Sequence, residues 1–403
     1  MNIFLKLFSG LLILFLVVFP KGGIKVNEIP ITHGYILLGL AATVSGFINL
    51  SRGKLFLLNK NQIIIFFCLL GFLTIASLSI LFNGFSHKQW VISFYVSLAL
   101  MPVIFLYILL PQITQINLDE VLKRICQAVF IVSIYGIFLF FYKITTGSFI
   151  EIPYLTVNVA DVGTLEGKHI SRGEGLFKLI STYNNGNIYG VCILMLLPLY
   201  DFIERSRWKS SIVQMSILLT LSRTAWAGLF MYHFLKKLYI NKITVKQVLK
   251  WMLSLFIFAV VITYTVYYFN LGGADFVFDE KLGGRNQFFD DLEITFFPSK
   301  EYSSIYEMAY LAALDMFGIV GLILFLFAMT SPVALYLLGK TPVGNIEYRK
   351  SILLGLLIYL FVATSDGVML YIPTMVFYWF LVALLITKNF IQPKTIEIPY
   401  KKG

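Results

Sequence analysis

Charge is scarce in this chain: Asp, Glu, Lys and Arg make up only 13% of 403 residues, about half the share found in an ordinary soluble domain. Cysteine is nearly absent. Cys68, Cys126 and Cys192 all fall inside apolar runs, which excludes a disulfide framework in the loops. The four histidines, His33, His87, His169 and His233, are scattered without ligand spacing or cysteine partners, so no metal signature appears. A P-loop, a GxSxG elbow, a dinucleotide fingerprint and a paired-aspartate motif are missing as well. No internal repeat is detectable, which removes the duplicated halves of many transporters.

What remains is apolar. Hydrophobic residues are 58% of the chain, and mean hydropathy is +0.82, so the class is integral membrane protein. Apolar runs approach the roughly 20 residues that cross hydrocarbon. They lie near 3–20, 33–48, 62–82, 88–110, 122–142, 185–205, 248–270, 317–337, 350–366 and 370–387. They do not alternate as barrel strands would, and backbone in lipid must pair internally, so the spans are helices. The first run contains Lys6 but no small-x-small cleavage site, and is kept as a helix. With the 210–235 stretch discussed below, the expectation is one all-α polytopic domain over 1–403 with about 12 transmembrane helices, within a range of about 11–13.

A net charge of +11 could point to nucleic acid, but its distribution argues otherwise. Basic residues gather in short loops: Arg52, Lys54 and Lys60; Arg205, Arg207 and Lys209; Lys236 to Lys250; Arg349 and Lys350; and the tail from Lys388. This is the positive-inside pattern, and it predicts a multi-pass chain with both termini cytoplasmic.

The stretch 210–235 has strongly basic flanks at both ends. A single crossing would put five lysines outside and invert every later loop, so a hairpin is expected, with Ser222-Arg223-Thr224 at its turn. Each leg of about 13 residues reaches about 20 Å at 1.5 Å per residue, against about 30 Å of hydrocarbon. The tip should stop short of the outer surface and leave Arg223 in a cavity open from outside. Intramembrane arginines are functional candidates by default; snorkelling or a buried ion pair is the alternative.

Two connections are long, 143–184 and 271–316, and both fall on the outer face in this topology. Their aromatic content predicts ordered caps with short helices. Their basic residues are few: Lys168, Arg172 and Lys178, then Lys281, Arg285 and Lys300. Arg172 in SRGEG and Arg285 in GGRNQ are flanked by glycines that let backbone approach a ligand. The planar guanidinium fork suits phosphate. Arg172, Arg223 and Arg285 converging on one cavity would clamp a pyrophosphate; salt bridges to Glu166, Glu174, Asp290 or Asp291 are the alternative.

Three stretches resemble the O-antigen polymerase and ligase superfamily of bacterial envelope enzymes. LTLSRTAWAGL is similar to its Thr-x-Ser-Arg signature, GGRNQFFDDL to the opening of its large periplasmic loop, and YEMAYLAALDMFGIVG to that loop's end. PKGGIKVNEIPITHGYILL has the look of the family's first hairpin. Asn187 and Gly190 fit its Asn-Pro-Asn segment loosely, without the proline. Aligned through Tyr310, Leu311, Leu314, Gly318, Ile319 and Gly321, the family's histidine falls on Glu307 and its asparagine on Met308. Loss of that pair favours polymerase over ligase.

The resemblance implies a GT-C-like, metal-independent glycosyltransferase without a cofactor, in the bacterial cytoplasmic (inner) membrane with its active site facing the periplasm. Its substrate would be an undecaprenyl-pyrophosphate-linked oligosaccharide. Glu307, Arg223 and Arg285 would be catalytic, and Arg172, Lys168, Asn187 and Tyr310 would join Arg223 and Arg285 in binding. Membrane lipid surrounds such an enzyme, a chain-length regulator and a flippase are its expected partners, and nucleic acid is not. An O-antigen ligase acting on lipid A core and a lipid-linked oligosaccharide transporter are the rival readings.

Overall fold

The computed structural model describes residues 2–26, 29–53, 58–113, 118–165, 170, 177–240, 292–303, 307–339 and 346–387. The expected span at 248–270 lies outside them. Six described helices are long and apolar enough to cross a membrane: α2 (His33–Ser51), α3 (Lys60–Asn83), α4 (Lys88–Ile113), α5 (Leu118–Thr146), α6 (Gly186–Ile203) and α9 (Ala309–Leu337). A shorter apolar helix, α1 (Asn2–Ile13), precedes them and runs through a π-helical turn to Val18. The remaining helices are α7 (Arg207–Leu218), α8 (Arg223–Ile240), α10 (Ile346–Asp366) and α11 (Ile372–Ile386). The described sheet is one antiparallel hairpin, β1 (Gly23–Val26) with β2 (Ile29–Thr32), pairing Gly23 with Thr32. The chain is all-α and membrane-embedded.

Local chemistry sets the helix starts. The Thr32 hydroxyl accepts from the Tyr35 N–H and caps α2. Asn59 and Gln62 form a reciprocal capping box at α3, satisfying two donors that the first turn leaves unpaired. Asn185 Oδ1 takes the N–H groups of Asn187 and Ile188 at 2.8 and 3.2 Å, opening α6.

Helix α6 is the axis of the bundle. Residues 186–200 are all buried, as a helix apolar on every side requires when surrounded by protein. Helices α8, α10 and α11 pack around it. Gly228 of α8 makes one approach possible: a Cβ there would lie 2.8 Å from both the Leu194 and Val362 side chains. Small residues at such crossings are how helices in lipid gain van der Waals contact. A second layer joins α3, α4 and α9 through aromatic edges, with Phe72 centred 5.4 Å from Phe317 and 5.1 Å from Phe325.

Residues 210–235 form a hairpin as expected, but it turns at 219–222, so Arg223 and Thr224 open the second helix instead of lying in the turn. Helices α7 and α8 run antiparallel: Trp226 Nε1 donates to the Leu218 carbonyl at 2.8 Å, and the His233 ring meets Gln214 Oε1 at 3.0 Å. Both open ends sit at the C-terminal end of α6. There Asp201 takes Lys236 Nζ at 2.8 Å and the Tyr232 hydroxyl, while Glu204 pairs with Lys209 at 2.8 Å. The tip turns beside the first turn of α6, where a Cβ on Gly190 would lie 3.0 Å from that of Ala225.

The second long loop differs from the expected 271–316. Helix begins at Ala309 and breaks at Gly318, whose φ of 70° suits glycine. The N–H groups of Ile319 and Val320 are taken by the carbonyls of Thr295 and Phe296 at 2.9 and 3.2 Å. The incoming segment thus caps the second half of α9, and a Cβ on Gly318 would strike its backbone at 2.8–2.9 Å. The sequence pattern hid this break because apolar character continues across it.

Candidate functional site

Arg223 is the first residue of α8, and Ser222 caps it: the Ser222 carbonyl accepts from Trp226 N at 2.9 Å and its hydroxyl from Ala225 N at 3.4 Å. A helix N-terminus already carries partial positive charge and favours anions. An arginine placed there adds a full charge of the same sign, an arrangement that an anion stabilises. Arg223 is half-buried, while Ser222 and Thr224 on either side are buried.

The Thr224 and Ser365 hydroxyls meet at 2.9 Å, bringing this start of α8 to the end of α10. The next residue, Asp366, is 1% exposed. A carboxylate at a helix C-terminus works against the dipole, and burial adds a desolvation cost.

Glu307 reaches the same place by backbone. Its carbonyl accepts from Gly367 N at 2.8 Å, and Tyr359 donates to the Gly367 carbonyl at 3.0 Å. The Glu307 side chain is exposed, as a rim carboxylate would be. Tyr310, three residues on, donates its hydroxyl to the Leu360 carbonyl at 2.7 Å. That bond makes Tyr310 a strut between α9 and α10, beside the site.

The first long loop supplies the third side. Leu179 N donates to the Leu219 carbonyl at 3.0 Å, stapling the loop to the hairpin tip. Its described part packs Val157, Leu165, Ile170 and Ile180 against Leu139 of α5 in a small core. Buried Lys178 lies 3.4 Å from Oδ1 of Asn187, which is itself buried in the first turn of α6.

Helix-end geometry thus collects Arg223, Glu307 and Asn187 at one end of the bundle. Lys168, Arg172 and Arg285 lie outside the described residues. Asp315, a carboxylate on α9, is buried and bound to Lys300 at 2.8 Å, which ties the incoming loop segment to that helix.

Two groups escaped the sequence reading. Tyr371 stands at the start of α11, its N–H donating to the Val368 carbonyl at 3.1 Å beside the Gly367 that holds Glu307. Lys21 lies with its ammonium over the Tyr371 ring. Nothing in a tyrosine before a span, or a lysine after one, separates them in sequence from interfacial anchors.

The chain matches no protein-family model, and no curated protein matches it.

Proposed function

We propose that this chain is a polysaccharide polymerase: a metal-independent glycosyltransferase that joins undecaprenyl-pyrophosphate-linked oligosaccharide repeat units at the outer face of a bacterial cytoplasmic membrane. The observation that carries the reading is the junction of Arg223, at the N-terminus of a half-buried hairpin leg, with the Ser365–Gly367 turn that holds Glu307. Arg223 keeps the arginine of the superfamily's Thr-x-Ser-Arg signature, and Glu307 stands where the family has histidine. About twelve spans, a GT-C-like arrangement and cytoplasmic termini belong to the same proposal.

The chemistry follows from the substrate. A sugar hydroxyl of one unit attacks the anomeric carbon of another; the carbon–oxygen bond to the lipid pyrophosphate breaks, and that pyrophosphate takes the electron pair. The donor carries its own activation, so the protein's work is to align two reactants and stabilise charge on the departing phosphate. Arg223 would meet that charge, with Arg172 and Arg285 as the other proposed arms. Glu307 would accept the hydroxyl proton. A site at the end of the bundle lets a polyprenyl tail stay in lipid while its head reacts.

The purified chain in detergent, given lipid-linked repeat units and a chelator, should build a ladder of longer oligosaccharides. Transfer of preformed polymer to lipid A core without any ladder would make it a ligase instead, and absence of both reactions would remove the transferase reading.

A further inference from the structure

Lys21 sits in the turn between the π-helical end of α1 and β1, and this turn is fixed on two sides. The Gly22 carbonyl accepts from His33 N at 3.0 Å. A Cβ on Gly22 would lie 2.3 Å from the Leu155 carbonyl oxygen and 2.6 Å from that of Tyr154, so only glycine lets the turn press against the first long loop. His33 Nε2 meets the same Tyr154 carbonyl at 3.1 Å. A side chain leaving such a turn has a fixed origin.

From it, Lys21 Nζ reaches 5.4 Å from the centre of the Tyr371 ring, within cation–π range. The Tyr371 N–H donates to the Val368 carbonyl at 3.1 Å, next to Gly367, whose own N–H holds the Glu307 carbonyl at 2.8 Å, so the ring under Lys21 belongs to the turn of the candidate site. The charged neighbours of Lys21 are Asp161, which attracts, and Lys25, which repels. Lys25 holds the Asp161 carboxylate in an ion pair, so the attraction is already shared. Burial outweighs it and pushes the Lys21 pKa below its ordinary value. A half-buried ammonium on a rigid turn, with its neighbouring carboxylate engaged elsewhere, gains from an anion brought to it.

We propose that Lys21 binds the phosphate head of the substrate, gripping it from the Tyr371 side while Arg223 meets it from the hairpin tip. The inference rests on the transferase reading and adds a contact from the first extramembrane turn, which that reading does not use. Lys21 brings a point charge with three donors, so it suits a phosphate oxygen whose direction varies along a reaction.

The test is binding of farnesyl pyrophosphate to the purified full-length chain in detergent, with farnesol and inorganic pyrophosphate in parallel. Loss of one charge-assisted contact should weaken farnesyl pyrophosphate at least about tenfold in Lys21→Gln. The thermal midpoint and farnesol binding should stay unchanged, whereas a purely structural cation–π role would lower the midpoint and spare affinity. Inorganic pyrophosphate weakened by the same factor would show that the phosphates alone are recognised. Should Lys21→Gln fold poorly, the wild-type chain still answers: farnesyl pyrophosphate should protect Lys21 from a small amine-reactive reagent, read by mass spectrometry. Unchanged affinity in Lys21→Gln, or unchanged Lys21 modification with probe bound, overturns the proposal. If Arg223→Ala loses the probe while Lys21→Gln keeps it, the transferase reading stands without Lys21. If the wild-type chain binds neither phosphate probe, both fall.

Discussion

Thr224 and Ser365 share a 2.9 Å hydrogen bond that joins the first turn of one hairpin leg to the last turn of α10. The bond lies between Arg223 and Asp366 in sequence, so it sets how the two ends face each other. Interhelical side-chain hydrogen bonds in membranes contribute about 0.6 kcal/mol on average. Thr224→Val should therefore lower unfolding stability by less than about 1 kcal/mol. Its effect on turnover should be larger, about tenfold or more, because small misplacements of a positioning group are costly. Thermal unfolding and turnover measured on one sample check both numbers; unchanged turnover would show that the bond does not position Arg223.

The hairpin makes a prediction about sides. Lys209 and Lys236 bind acids at the same end of α6, and Ser222 lies at the other. Single cysteines at positions 209 and 236, in a chain whose own cysteines are replaced, should both resist an impermeant thiol reagent on intact cells. Both should react once the membrane is opened. Labelling of the position 236 cysteine from outside would reverse the proposed orientation and remove Arg223 from the proposed outer face.

Glu307→Gln keeps shape and hydrogen bonding while removing basicity. As a general base, Glu307 should account for about 100-fold or more in rate, so the variant should lose that factor with probe binding and abundance intact. The carboxylate is exposed and its backbone is held by Gly367, so folding should not suffer. Turnover near the wild-type rate would move the base elsewhere.

Much of this architecture is legible in the sequence, and the reason is solvent. Apolar runs must be helices in lipid, and basic flanks at both ends of 210–235 require a hairpin, so those elements follow from composition and charge. Which helix lies at the centre does not. Lipid and protein interior are equally apolar, so α6, buried on every side, reads much like a lipid-facing span. The break at Gly318 is hidden for a similar reason: its cause is a distant segment, Thr295 to Phe297, whose carbonyls replace the helix's own. At the candidate site, Arg223 stands out in the sequence because a lone arginine inside an apolar run is costly at membrane depth. Tyr371 and Lys21 do not, since their meaning comes from a contact between the first turn and the last described helix. Arg172 and Arg285 remain candidates on sequence alone.

The central claim is that Arg223 stabilises the departing phosphate, and its most direct test is turnover of lipid-linked repeat units by purified Arg223→Ala and Arg223→Lys. A preorganised donor to developing negative charge is worth about 10²–10³ in rate, and lysine keeps the charge but loses the two-pronged geometry. Both variants should fold, reach the membrane at normal levels and lose about 100-fold or more in turnover. Polymer of normal length, formed at near wild-type rate by Arg223→Ala, would contradict the account.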